Sequence, residues 1–334
     1  MTALQEIYVD DLGKPDTYFA FLETIPGYKV EAGEKESINF KAAESQYENG
    51  NYEKAITSYT NFIRKYPKGS YTLTAYFHRG ESYAVLKRYT EAMRDYESVI
   101  ERGNSRFYGK ALKKAAIIAY NHELDFEKAY TYYSKLEGVT DNADTRFEAQ
   151  LGALQSAYRT NKTDAVYALS EKVIKNPAAS NEQRALANFY LGKMAYDRKD
   201  FTDALRAFNE VTKTSNNEQT AEARYLIAHI YYQQRELEVA QQIALNANAE
   251  SSDYPYWVAK SVILLADILS EKGDLFNAQA VLEGLIETYD GDQELLNIAK
   301  AKLAQLKQRE ASTSRLITTP LDDTTLELDD DENQ

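Results

Sequence analysis

The sequence predicts an all-α solenoid of stacked helical hairpins, and two observations carry that expectation. A small residue anchors an amphipathic run at Ala55, Ala92, Ala129, Val166, Ala204, Ala240 and Ala278, in steps of 37, 37, 37, 38, 36 and 38 residues. A fixed period of this size marks a repeat architecture in which each unit buries its apolar face against its neighbours. Each anchored run also follows a second amphipathic run, such as TAYFHRGESYAVL or ALANFYLGKMAYDRK, so two helices make one unit. Such an array needs no single core, and 334 residues need not divide into globular domains.

The clearest run is GNYEKAITSYTNFIRKYP, Gly50 to Pro67. Tyr52, Ala55, Tyr59, Phe62 and Ile63 fall three, four or seven apart, which is one apolar face of a helix. Asn51 is placed to cap its start, Gly50 permits the turn before it, and Pro67 lies beyond its end. Upstream, Gly80, Ala116, Gly192, Ala228 and Ala266 supply the small side chains that let paired helices cross closely.

From the N-terminus, residues 1–27 read as a partial helical pair. TALQEIYVDDL has Leu4, Ile7 and Tyr8 on one side, and Pro15 opens a second short helix that stops at Pro26-Gly27. A solenoid end is usually shielded by an atypical repeat. Met1 lies only two residues from a helix, so we expect the natural chain to continue N-terminally, with a short native cap as the alternative. KVEAGEKE, residues 29–36, is a polar link. Seven units then span 36–292: 36–69, 73–106, 110–143, 147–180, 185–218, 221–254 and 259–292. None of the six prolines falls inside a proposed helix. The junctions RGNSRF, TDNADT, NPAASN, TSNNEQ and ESSDYP are turn-like. Residues 294–309 form a capping helix, with Leu295, Ile298, Leu303 and Leu306 inward and Lys300, Lys302, Lys307 and Arg309 in water. Residues 311–334, with seven acidic groups between Asp322 and Glu332, read as a disordered acidic tail.

A net charge of −13 argues against a nucleic-acid partner and against docking on anionic lipid. The absence of cysteine excludes disulfides and thiolate metal sites. No run approaches the length of a transmembrane segment, and the first residues lack the basic-then-apolar pattern of a signal peptide. His78, His122 and His229 lie in three different units with no second ligand four residues on. No HExxH, glycine-rich phosphate loop, GxSxG or nucleophile–base pair occurs. No enzyme activity, cofactor or metal is expected.

The pattern resembles the tetratricopeptide repeat, a 34-residue unit with apolar or small residues at unit positions 4, 7, 8, 11, 20, 24 and 27 and often proline at 32. With Ala55 at position 20, Ala43, Tyr59, Phe62 and Pro67 fall at 8, 24, 27 and 32. With Ala92 there, Tyr76, Gly80, Tyr83, Tyr96 and Val99 fall at 4, 8, 11, 24 and 27. The fourth unit is degenerate, with Val166 and Ser170 where alanine and an aromatic ring are usual. The resemblance implies a right-handed superhelical solenoid whose concave groove is lined by the first helix of each unit. Carried onto this chain, the groove positions give Phe40, Tyr47, Phe77, Tyr158, Phe189, Lys193, Tyr196, Tyr225, His229 and Tyr232 as candidate binding residues. The ladder is densest at Phe189, Tyr196, Tyr225, His229 and Tyr232. Rigid rings beside hydrogen-bonding groups suit a protein or peptide partner. The lysine–asparagine clamp by which part of the family grips C-terminal carboxylates is missing: Lys114 is followed by Ile118, and Gly152, Leu186 and Tyr190 fill the later positions.

The FI.KYP.G.Y link followed by AYF..GESY is similar to repeats of bacterial cell-envelope proteins, including the Tol–Pal coordinator. The last unit, Tyr256 to Asp292, resembles the C-terminal part of large exported repeat proteins of Bacteroidetes. The resemblance implies a setting at the periplasm or outer membrane, with the cytoplasm as runner-up, and defines no activity; we expect an interaction scaffold, monomeric or weakly dimeric. A structural or self-association module is the alternative reading, and a glycan binder the third.

Overall fold

A computed structural model describes residues 2–103 and 105–317, and among them all regular structure is helical. The chain forms two compact units that divide after Pro177. The first contains α1 (Thr2–Gln5), α2 (Pro15–Leu22), α3 (Ala32–Glu48), α4 (Tyr52–Lys65), α5 (Thr72–Val85), α6 (Tyr89–Glu101), α7 (Tyr108–Ile118), α8 (Phe126–Val139), α9 (Ala143–Arg159) and α10 (Thr163–Lys175). The second contains α11 (Asn181–Asp197), α12 (Phe201–Thr214), α13 (Glu218–Gln233), α14 (Leu237–Glu250), α15 (Pro255–Glu271), α16 (Leu275–Thr288) and α17 (Gln293–Ile317). From α3 to α16 the helices pair as hairpins, and α17 packs on α15 and α16. This is the all-α solenoid of helix-turn-helix repeats that the period announces.

The turns inside the seven hairpins share one left-handed residue. Gly50, Lys87, Leu124, Asn161, Lys199, Arg235 and Gly273 all hold a left-handed backbone, with φ between 54° and 85°. In six hairpins the next N–H reaches the carbonyl five residues back, as Asn51 to Gln46 at 2.8 Å and Asp200 to Ala195 at 2.9 Å. The turn residue's own N–H bonds three back, as Lys199 to Tyr196 at 2.9 Å. This is the Schellman closure, which satisfies the orphan carbonyls at a helix end. The third hairpin differs. A π-helical turn at Ala119–Glu123 adds a residue before the turn, so Asp125 N–H bonds the carbonyl of Ala119, six back.

The small anchors lie at the helix crossings. Ala55, Ala92, Ala129, Val166, Ala204, Ala240 and Ala278 have no exposed surface. The approach is close at Gly152, where a Cβ would meet the Tyr133 ring at 2.4 Å, and at Gly192, where it would meet the Phe208 ring at 2.5 Å. Phe62 and Phe208 fill the spaces so created, each burial contributing about 1.5–3 kcal/mol. Tyr59 and Tyr96 are also fully buried, and their hydroxyls donate to Glu44 (2.9 Å) and Glu81 on the partner helices. Asp95 is the one buried carboxylate of the described residues, and Arg79 grips it twice, at 2.8 and 2.6 Å. Successive repeats are also laced by exposed pairs such as Lys162–Glu127 (2.9 Å) and Lys172–Glu137 (2.6 Å), each worth little alone.

Several local readings change. Asn51 does not cap α4; its side chain donates to Gln46 Oε1 instead, while Asp125, Asp200 and Asp274 do cap their helices. The N-terminal segment turns through a π-helical stretch at Glu6–Asp11, whose wider turn brings Val9 inward and leaves Ile7 47% exposed. Val9 joins Tyr18, Phe19 and Leu22 against Ile38 and Ala42 of α3. In α17 the inward residues are Leu295, Leu296, Ala299 and Leu306, while Ile298 faces outward. This helix runs past Arg309 to Ile317, and the remainder of the acidic tail, 318–334, lies outside the described residues.

Two stability outcomes follow. The strained turns rank the substitutions: Lys87→Gly and Lys199→Gly should each stabilise by about 1 kcal/mol, and Gly50→Ala and Gly273→Ala should each destabilise by about 1 kcal/mol, read from urea denaturation midpoints. Arg79→Met strands the Asp95 carboxylate and should cost about 3–5 kcal/mol near neutral pH. Burial raises the Asp95 pKa, so the folded chain takes up that proton before the unfolded chain. The loss should therefore shrink as pH falls through the raised pKa, and a loss independent of pH would contradict this.

Candidate functional site

The candidate residues occupy the first helix of each hairpin, but the structure assigns them different roles. In the first unit, Phe77 is 6% exposed and stacks on Phe107 at 4.7 Å, so it packs α5 against the start of the next hairpin. Phe40 stacks on Tyr71 at 4.6 Å and edges onto Phe62. Tyr47 lies flat on His78, with ring centres 4.7 Å apart, and His78 Nδ1 sits 2.9 Å from Glu44. Tyr158 is half-buried on α9. Phe40, Tyr47 and Phe77 thus join neighbouring helices. Lys114 pairs with Glu81 at 3.1 Å.

In the second unit the helices α11, α13, α15 and α17 lie side by side. Phe189 is the exception among the expected residues there: it is 5% exposed, packs towards Phe208, and offers a partner no surface. The others converge. Tyr196 bonds His229 Nδ1 at 2.7 Å, and Gln233 approaches the same nitrogen at 3.3 Å. Tyr225 and Tyr232 flank His229, with ring centres 5.9 and 6.3 Å away. The Tyr232 hydroxyl donates to Glu271 at 2.6 Å, and Arg235 closes on the other oxygen of that carboxylate. Lys193 pairs with Glu222 at 2.7 Å.

Electrostatics follow from this packing. Burial pushes the Tyr225 phenol up to about 12, with neighbouring phenols and carboxylates adding to it. Burial lowers the His229 pKa, and the ammonium of Lys260 lowers it further. The imidazole is thus held neutral, with Tyr196 and Gln233 fixing its orientation.

Three participants escaped the sequence reading. Trp257 and Tyr256 sit in the first turn of α15, and Tyr225 lies 5.8 Å from Trp257. The Lys260 ammonium faces Tyr225, Trp257 and Tyr256, at 4.9, 4.9 and 5.7 Å from the ring centres. The signal was present: Trp257 is the only tryptophan of the chain, and Lys260 falls at unit position 2, a groove position of the repeat. Among the described residues, no group of three or more His, Cys, Asp or Glu side chains is placed to hold a metal ion. Among the described residues, no helix is long and apolar enough to cross a membrane.

The tetratricopeptide repeat family model matches residues 40–106, 157–218 and 191–255. With its seven closed hairpins, the chain is a tetratricopeptide-repeat protein. Among solved structures, it is similar to the C-terminal part of a repeat-containing protein from Cytophaga hutchinsonii, at 17% identity over 78% of this chain and 98% of that one, with a TM-score of 0.53. It is also similar to a tetratricopeptide repeat protein from Parabacteroides merdae, at 16% identity over 79% and 98%, with a TM-score of 0.42. Yeast Tom70 matches at 16% identity over 89% and 70%, with a TM-score of 0.44. At such identities the likeness concerns the fold. Comparison with curated proteins gives no match.

The electrostatic account has a direct readout. By NMR, His229 should titrate below the ordinary value of 6.5, and Lys260→Gln should move its midpoint upward by removing a nearby positive charge. A midpoint at or above 6.5 in the unaltered chain would contradict it.

Proposed function

We propose that the chain is a non-enzymatic scaffold that binds a protein segment on the first-helix face of its second unit. The observation that carries this is the cluster of Tyr196, Tyr225, Tyr232 and Trp257, which are half-buried rather than sealed in the core. Their polar neighbours hold several of these rings in place: the Tyr196 hydroxyl is tied to His229 and that of Tyr232 to Glu271. Rings fixed in advance present large contact area while losing little side-chain entropy on binding. Alternating ion pairs around them give a segment direction and register. The resemblance of the first two repeats to cell-envelope proteins supports an envelope setting for this scaffold.

Peptide display against the full chain, followed by calorimetry, tests the reading. Selected peptides should bind Tyr196→Ala and Tyr232→Ala about 10-fold more weakly, the loss of one interface ring of moderate weight. Leu124→Ala, at an exposed position of the first unit, should leave binding unchanged. Peptides that ignore both tyrosine substitutions would place binding elsewhere.

A further inference from the structure

We infer that the Lys260 ammonium is the docking point for a carboxylate side chain, aspartate or glutamate, of the bound segment; this rests on the second-unit face being the binding surface. The inference begins with an accounting of charge. Around the aromatic cluster three carboxylates each hold a cation: Glu222 holds Lys193 at 2.7 Å, Asp267 holds Lys302 at 2.6 Å, and Glu271 holds Arg235. Lys260 is not among those cations, although the Glu222 carboxylate also acts on it from beyond ion-pair distance. Among the described residues Lys260 makes no ion pair, and its ammonium is faced instead by the rings of Tyr225, Trp257 and Tyr256.

Ring faces attract an ammonium, but they do not accept its three N–H bonds as a carboxylate does. The rings also hold it in place, and partial burial lowers its pKa although the nearby Glu222 carboxylate works the other way. A second unmet donor lies in the same cluster: the indole Nε1–H of Trp257 is buried and has no acceptor. Two donors without acceptors, in one aromatic cluster, call for an oxygen ligand. The charge of the ligand follows from the ammonium, since the rings already have their cation and a second one would have to evict it. A cation set among rings, with no carboxylate within ion-pair distance, gives an acidic segment a place to settle.

Trp257, as the single tryptophan, makes occupancy visible in the full chain. Its emission is titrated at low salt with acetylated, amidated hexaglutamate, with the matching hexaglutamine, and with hexaglutamine bearing a free C-terminal carboxylate. Hexaglutamate should change the emission saturably and bind about 10-fold or more tightly than either neutral-side-chain peptide, an advantage that added salt removes. Lys260→Gln should lose that advantage and Lys260→Arg should keep it. Equal binding of hexaglutamate and blocked hexaglutamine by the unaltered chain would overturn the inference without recourse to any variant. So would a Lys260→Gln chain that binds hexaglutamate normally, or no response to any probe. A free C-terminal carboxylate that binds as well as hexaglutamate would also overturn the side-chain assignment. If display-selected peptides still depend on Tyr196 and Tyr232 while acidic peptides show no preference, the binding face stands and the carboxylate docking falls.

Discussion

The contact on which everything else depends is the crossing of two helices at a residue too small to keep them apart. Where Gly192 meets Phe208, or Tyr96 reaches over Gly80, the backbone of one helix becomes the wall of the other's pocket. A ring fills that pocket, and the left-handed turn closes the hairpin at a fixed length. The turn tolerates lysine, asparagine or arginine at a strained φ because the Schellman bonds and the packed rings over-determine it. Within each of the two units, repetition then does what a globular core does elsewhere, since each hairpin covers the apolar face of the next.

The candidate site is a by-product of the same geometry. First helices lie side by side, so residues one repeat apart in sequence become neighbours in space. Tyr196 meets His229 in this way, and Tyr232 meets Glu271. Burial then sets the chemistry: it holds His229 neutral and lowers the Lys260 pKa. None of these groups has an unusual side chain; their properties come from being stacked.

The period made the fold legible, because a small anchor every 36 to 38 residues leaves little choice of architecture. The site was legible only in part. Position in the repeat singled out Tyr196, Tyr225, His229 and Tyr232 as candidates, but it could not separate Phe77 and Phe189, which are buried, from residues that face outward. Lys260 and Trp257 were missed because their meaning lies in a three-ring arrangement drawn from two helices. Ile7 was misplaced because a π-helical turn breaks the 3.6-residue rhythm that sequence reading assumes.

Residue-resolved hydrogen exchange on an Ala204→Leu chain tests the central claim most directly. The account predicts that wedging the α11–α12 crossing removes protection from that hairpin and the one beside it, α13–α14, while α3 to α8 keep theirs. Loss of protection spread evenly over all helices would mean one shared core, and the account of stacked hairpins would fail.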